Sequence, residues 1–405
     1  NAPFLINPVN LSLRKSASLT KKRPFDETFD SLRTVWTADD HKISAINYPV
    51  LNPPKGNKFV NYHSPVQAGK DAIIAVKTSL SEPPSFVMIR PSDSSEKKLH
   101  IPGYINPYFI SFGNGRLVWV ETHSDARWAN REWSEIMIME VDRNMVRRLT
   151  KKTRYMSASV SPDGALVAAV ENSTGNVNTL NILDAASGEI LNSIKAPGNA
   201  SLQRPQWDAT GRNITVIHLN EKGEGILRFS LEKNSWQTFL EAGTDDIQSS
   251  FLRNDSLFFV SSMNGTENIY LRKSDNSVIP LTRSRFGATD LSVNGRDMLF
   301  ADYTSSGNNI VSYGIPGEPA ADSSSHSHNS YLINRFEQQK PPVESASGNS
   351  YFPSPYRKWK NLFRFHSWMP FYADIDEIQD DLSTITPGFT LMTQNNLSTL
   401  ISTFG

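Results

Sequence analysis

The chain has 405 residues, with 41 Lys and Arg balanced by 41 Asp and Glu, zero formal net charge and no cysteine. Its length fits two or three average domains or one large repeat domain. Charge balance removes the electrostatic footprint of a general nucleic-acid binder, and the lack of thiols excludes disulfides and Cys-ligated metals.

No apolar run reaches the ~18 residues of a membrane-spanning helix. The chain starts without Met and without a signal-like segment, so it reads as the interior of a longer precursor. Residues 1–61 form an extension. Within it, Phe25, Phe29, Leu32 and Trp36 recur at steps of 4, 3 and 4 in PFDETFDSLRTVWTADD. That spacing predicts a short amphipathic helix packed on the following domain.

From Tyr62 a turn-plus-strand unit recurs. SPDGALVAAVEN (residues 161–172) shows it plainly: Pro162-Asp163-Gly164 makes the turn, and Leu166–Val170 is an apolar strand. Equivalent turns fall at Gly69, Gly115, Gly164, Gly211, Asn254 and Gly295, in steps of 46, 49, 47, 43 and 41 residues. A short strand precedes each turn. Two strands follow, such as AIIAVKT and SFVMIRP in the first unit, and five units add another, such as VRRLT. Four strands in roughly 45 residues is the period of a propeller blade, whose sheet buries both faces only by packing on its neighbours. The expected fold is all-β, a six-bladed β-propeller over residues 62–315. The sixth unit lacks an outer strand, which either KISAINY (42–48) or SYLINRF (330–336) could supply. The N-terminal segment is favoured because it would lock the ring.

Two surfaces are candidate binding sites. The loop THSDARWANREWSE of the second unit carries Trp128, Arg131 and Trp133, residue types typical of interface hot spots. It forms either a docking patch or a cover in which one Trp folds back on its own blade. The other surface is the axial mouth where the innermost strands begin, which would present His63, Asn106, Tyr155, Arg204, Asp245 and Arg285. This mixture suits a peptide or protein end better than a polyanion.

Residues 316–350 are rich in Ser, Pro, Gly, Ala and Asn and read as a linker. Residues 351–405 form an aromatic-rich tail. Trp359, Phe363, Phe365, Trp368, Phe371 and Tyr372 suit either a membrane interface or docking on the propeller side. The final GFTLMTQNNLSTLISTFG reads as one barrel strand cut short. A single strand cannot span a bilayer, so this chain alone is expected to be soluble.

The repeat carried by Ser159, Ser161, Pro162, Asp163 and Gly164, then Asn181, Ile182, Leu183, Asp184, Ser187 and Gly188, resembles the TolB-type propeller repeat. That repeat is also found in the tricorn protease and in prolyl oligopeptidase-like enzymes. It covers about 250 residues and implies fold more than function. The stretches YHSPV, KTSLSEPPSFVMI, WVETHSDARWANREWSEI, DSLFFVSSMNGTENIY and NLFRFHSWMPFYAD resemble a family of large, uncharacterised Gram-negative envelope proteins. The resemblance implies a metallopeptidase-like region before the propeller, an outer-membrane barrel after it, and a periplasmic or outer-membrane-associated location.

The chain contains no Gly-x-Ser-x-Gly elbow, Walker motif or His-Glu-x-x-His motif. His326 and His328 lie in a Ser-rich segment without a preorganised metal site, and Asp245-Asp246 reads as a solvated turn. No metal or cofactor is expected. The expected function is noncatalytic protein or peptide binding in the cell envelope. Alternatives are a propeller that gates substrate for a peptidase encoded elsewhere, or an outer-membrane assembly or export role. The oligomeric state cannot be read from the sequence.

Overall fold

The computed structural model describes residues 22–42, 45–105, 108–128, 130–316, 355–372 and 386–405. They belong to two compact units, Asn1–Asn329 and Ser330–Gly405.

The first unit contains six successive antiparallel sheets, each pairing its strands in chain order. The first holds β1 (Val60–Gly69), β2 (Ala72–Ser79), β3 (Ser85–Arg90) and β4 (Ser95–His100). The second holds β5 (Ile110–Gly113), β6 (Arg116–Ser124), β7 (Glu132–Glu140) and β8 (Met145–Arg148). The third holds β9 (Tyr155–Val160), β10 (Leu166–Asn172), β11 (Asn178–Asp184) and β12 (Ile190–Lys195). The fourth holds β13 (Ser201–Trp207), β14 (Asn213–Asn220), β15 (Gly223–Ser230) and β16 (Ser235–Gly243). The fifth holds β17 (Ile247–Arg253), β18 (Ser256–Ser261), β19 (Asn268–Arg272) and β20 (Val278–Pro280). The sixth has three strands, β21 (Ala288–Asn294), β22 (Asp297–Thr304) and β23 (Gly307–Gly314).

The turn chemistry sets the hairpins. Gly164 and Gly211 have φ of 76° and 69°, and Asn254 takes the same left-handed conformation at 51°. Asn is among the few side chains that tolerate it. Along each second strand, alternate residues then face opposite neighbours. In β6, Leu117 and Trp119 join a core with Ile74 and Phe86 of the first sheet, while Val118 joins one with Val167 and Ala169 of the third. The pattern repeats, and the last core unites Leu299 and Ile310 of the sixth sheet with Tyr62, Ile73 and Val87 of the first. The first strands neighbour one another in the same succession, and β21 returns to β1. This is an all-β propeller.

An extended strap precedes β1. Leu51 N donates to Ile310 O at 2.8 Å, Ile46 N to Arg283 O at 3.0 Å, and Val50 forms an antiparallel bridge with Val311. Asn52 Oδ1 accepts from Ile310 N at 2.7 Å, and Lys55 Nζ donates to Asn308 O at 2.7 Å. The Tyr48 ring packs on Phe300 and Tyr313 with centroids 5.0 and 5.2 Å away. Among the described residues, pairing with β23 is therefore concentrated at residues 50–52, and Ile46 of the expected segment bonds to Arg283 instead. Residues 43 and 44 lie outside the described residues. Pro49 and Pro53 flank residues 50–52 and have no N–H to donate, which confines the pairing between them. Residues 330–336 lie outside the described residues.

The amphipathic helix forms as α1 (Lys22–Lys42), but the expected packing of its apolar stripe does not. Phe25, Phe29, Leu32 and Trp36 are 68, 46, 39 and 58% exposed. Local contacts shield part of the stripe: Phe25 stacks on Phe29 at 6.2 Å, and Arg33 lies over Phe29.

In the second unit, β24 (Phe365–Tyr372), β25 (Thr386–Gln394) and β26 (Ile401–Phe404) form an antiparallel meander. The final stretch is thus a hairpin rather than one strand. Asn395 closes its turn, donating N–H to Leu400 O at 3.0 Å and accepting from Thr399 N at 2.8 Å. Phe365, Trp368, Phe389 and Phe404 remain exposed.

Candidate binding site

The first strands of the six sheets enclose two cavities. Toward the ends of these strands lies a funnel of about 510 Å³. Gln67, Ser111, Asn114, Gln206, Ser292 and Asn294 give it polar walls, and Phe112 and Phe251 add apolar area. Its charged lining residues are Lys70 and Asp208. The Asp208 carboxylate is already occupied, accepting from Arg212 N at 3.0 Å, Asn213 Nδ2 at 2.8 Å and Thr210 Oγ1 at 2.9 Å.

Toward the beginning of the strands the axis narrows to a neck of about 20 Å³, lined by Arg204, Gln206, Ser249, Asp290 and Ser292 among others. A polar cluster surrounds this neck. Asp290 carries His63 Nδ1 at 3.7 Å and Arg204 Nη1 at 3.6 Å. Gln248 Nε2 donates to Asp290 Oδ1 at 3.2 Å, and Asp290 N donates back to Gln248 Oε1 at 2.8 Å. Burial opposes ionisation of Asp290, but His63 and Arg204 outweigh it and hold the carboxyl below its usual range. Tyr108 stacks on His63 at 4.9 Å, and the Arg204 guanidinium lies 5.9 Å from the Phe109 ring centre. Glu224 borders the same field. Burial pushes its carboxyl up, helped by Asp246 and opposed by Arg204 and the Ile247 N–H.

Backbone irregularity aims these groups. Ser64, Arg204 and Asp290 have φ of 46°, 44° and 54°. Each lies in a register shift, between His63 and Val66, Gln203 and Gln206, and Thr289 and Ser292 respectively. A bulge re-aims a side chain that regular pairing would place elsewhere. Ser157 Oγ anchors the second bulge by accepting from Arg204 N at 2.9 Å.

Of the expected mouth residues, His63 and Arg204 meet at this cluster. Tyr155 does not: it is 3% exposed in the core between the second and third sheets, beside Ala158 and Leu183. Its ring continues the apolar face of β9 instead of turning to the axis. Asp245 is half-buried and Arg285 exposed, both ahead of their strands. Asn106 lies outside the described residues, as do His326 and His328. Asp290, Gln248, Tyr108 and Phe109 were not foreseen. One signal was present: Asp290 precedes Gly295 by five residues, as Ser64 precedes Gly69.

The second-sheet loop is organised by Asp125, whose Oδ1 accepts from the N–H groups of Arg127 and Trp128 at 2.9 and 3.2 Å. Trp128 is 51% exposed beneath Arg127. Arg131 is paired loosely with Asp125 at 3.7 Å. Trp133 folds back, half-buried, stacked on His123 at 6.5 Å and covered by Lys152.

No family model and no curated protein matches the chain. Among solved structures, it is similar to the propeller domain of the Trilobed protease from Pyrococcus furiosus. The two share 13% identity and a TM-score of 0.43, over 64% of this chain and 94% of that one. It is also similar to TolB from Acinetobacter baumannii, at 15% identity and TM-score 0.40, over 63% and 66%. For Pyrococcus horikoshii acylaminoacyl peptidase the values are 11% and 0.44, over 87% of this chain and 60% of the peptidase. Likeness at this level brings none of these proteins' activities to the chain.

Proposed function

We propose that this chain is a noncatalytic six-bladed propeller that binds a protein or peptide segment in its axial funnel, as a module of a bacterial cell-envelope protein. The observation that carries the reading is the narrowing of the axis among the described residues. An open polar cavity of about 510 Å³ ends at a neck of about 20 Å³. The wide part has room for a chain segment and the neck is far narrower, which favours binding over passage. Six sheets, with the sixth packed on the first and strapped by residues 46–55, support the blade count and the closure. The periplasmic or outer-membrane setting rests on the sequence resemblance. The exposed aromatics of β24–β26 suit the membrane-interface role expected of the tail.

The test passes envelope extract over the immobilised chain and over two variants that fill the funnel, Ser292→Trp at its floor and Asn294→Trp at its rim. A partner retained by the wild type is expected to be lost by both, with melting temperatures little changed for the exposed rim position. A partner held equally by all three would remove the funnel as the site. Specific hydrolase activity from the pure chain would overturn the noncatalytic reading.

A further inference from the structure

We propose that the funnel reads a chain terminus: it takes the C-terminal end of a protein or peptide and seats the terminal carboxylate at the neck against Arg204. This rests on the funnel being the binding site, as argued above.

The charged groups at the neck are an engaged carboxylate and a less fully engaged guanidinium. The Asp290 carboxylate already faces Arg204, His63 and Gln248. Arg204 is less fully used. Its guanidinium stands 3.6 Å from Asp290, beyond ordinary hydrogen-bond reach, with the Phe109 ring beside it and the Glu224 carboxyl within range of its charge. Ser249 Oγ is buried without a hydrogen-bond partner, on a residue only 8% exposed. Gln206 and Ser292 line both the neck and the funnel, so they mark the floor where the two meet.

A guanidinium fork, two hydroxyls and a carboxamide therefore border the neck, which meets the funnel at Gln206 and Ser292. They match an anion with two acceptor oxygens, and Arg supplies the planar geometry that suits a carboxylate. The neck volume of about 20 Å³ is room for one oxygen atom. A chain end can reach the floor of this narrowing cavity as one strand, whereas an internal segment has to enter as a wider two-stranded loop. An α-ammonium would set its positive charge beside the Arg204 guanidinium.

The test uses the full chain and a random peptide pool made twice, with free C-terminal carboxylates and as C-terminal amides. The free acids are expected to be retained at least about tenfold better, the least that a lost charged hydrogen bond costs. That preference is expected to disappear in Arg204→Gln/Asp290→Asn, which removes both charges and leaves no unpaired buried carboxylate. It is expected to weaken in Ser249→Ala, a change small enough to leave the fold intact. Equal retention of acids and amides that Asn294→Trp abolishes would overturn this inference and leave the funnel reading standing. Equal retention that Asn294→Trp does not affect would overturn both. Retention of neither pool would also overturn the inference.

Discussion

Trp119 is fully buried, with its ring edge-on to Phe86 at 4.8 Å and its Nε1 donating to Glu121 Oε1 at 2.8 Å. Trp119→Ala is expected to destabilise by about 3–5 kcal/mol, the range for a large aromatic removed from a core. Trp128, nine residues on, is half exposed on a loop held by Asp125 rather than by its own ring. Trp128→Ala is expected to shift stability by no more than about 0.5 kcal/mol. Urea unfolding of both variants checks the contrast, and a large loss at Trp128 would make it a packing residue. His218 gives a pH test. It is buried, its Nε2 has no hydrogen-bond partner, and burial lowers its pKa against an opposing pull from Glu241. Below its ordinary value near 6.5 the unfolded chain takes up a proton that the folded chain resists. Its contribution is therefore present above that value and lost as pH falls toward the depressed folded pKa. His100 acts with the same sign, while Glu224 and Asp302, raised by burial, act with the opposite sign. The measurement is consequently a difference: between pH 7.5 and 5.5 (values of the assay), His218→Gln is expected to lose less stability than the wild type. Parallel pH profiles would contradict the assignment.

At the scale of the element, each hairpin was legible because its cause is local. Asp163 Oδ1 accepts from Ala165 N at 3.0 Å, and Gly164 supplies the positive φ, so SPDG folds by its own chemistry. The bulges in the first strands were not legible, because register is decided by the partner strand and a shift of one residue moves a side chain between core and axis. That is why Asp290, in the bulge of β21, was not read as a mouth residue. Tyr155 instead continues the apolar face of β9 into the core between the second and third sheets. Helix α1 was legible from its period, but period says nothing about what covers the apolar stripe. Among the described residues the strap's pairing with β23 lies at 50–52, between Pro49 and Pro53, which have no N–H to donate. Asn52 extends the strap's pairing through its side chain, its Oδ1 taking the Ile310 N–H. Asn52→Ala strips that buried donor of its acceptor and is expected to cost about 1–3 kcal/mol. Equilibrium unfolding that shows no loss would mean that water replaces the carboxamide.

Across the whole molecule, each sheet buries its faces only against the next, so closure of the succession protects every core at once. The junction between sixth and first sheets is where the chain ends of the propeller meet, and local hairpin chemistry does not secure it. The strap does so, with Tyr48 buried among Phe258, Val260 and Phe300 of the fifth and sixth sheets and Lys55 capping β23. The helix before it exposes its apolar stripe. Two truncations separate these parts. Removing residues 1–44 takes away α1 and is expected to leave the melting temperature nearly unchanged. Removing residues 1–55 also takes the buried Tyr48 ring, the 50–52 pairing and Lys55. The loss is expected to be at least about 3 kcal/mol, a fall of roughly 6–12 °C for a domain of this size. It also uncovers the outer edge of β23, an unpaired strand that invites association. The longer truncation is therefore expected to show concentration-dependent self-association by light scattering while the shorter does not. Equal melting temperatures for the two would mean that the six sheets hold their succession without the strap.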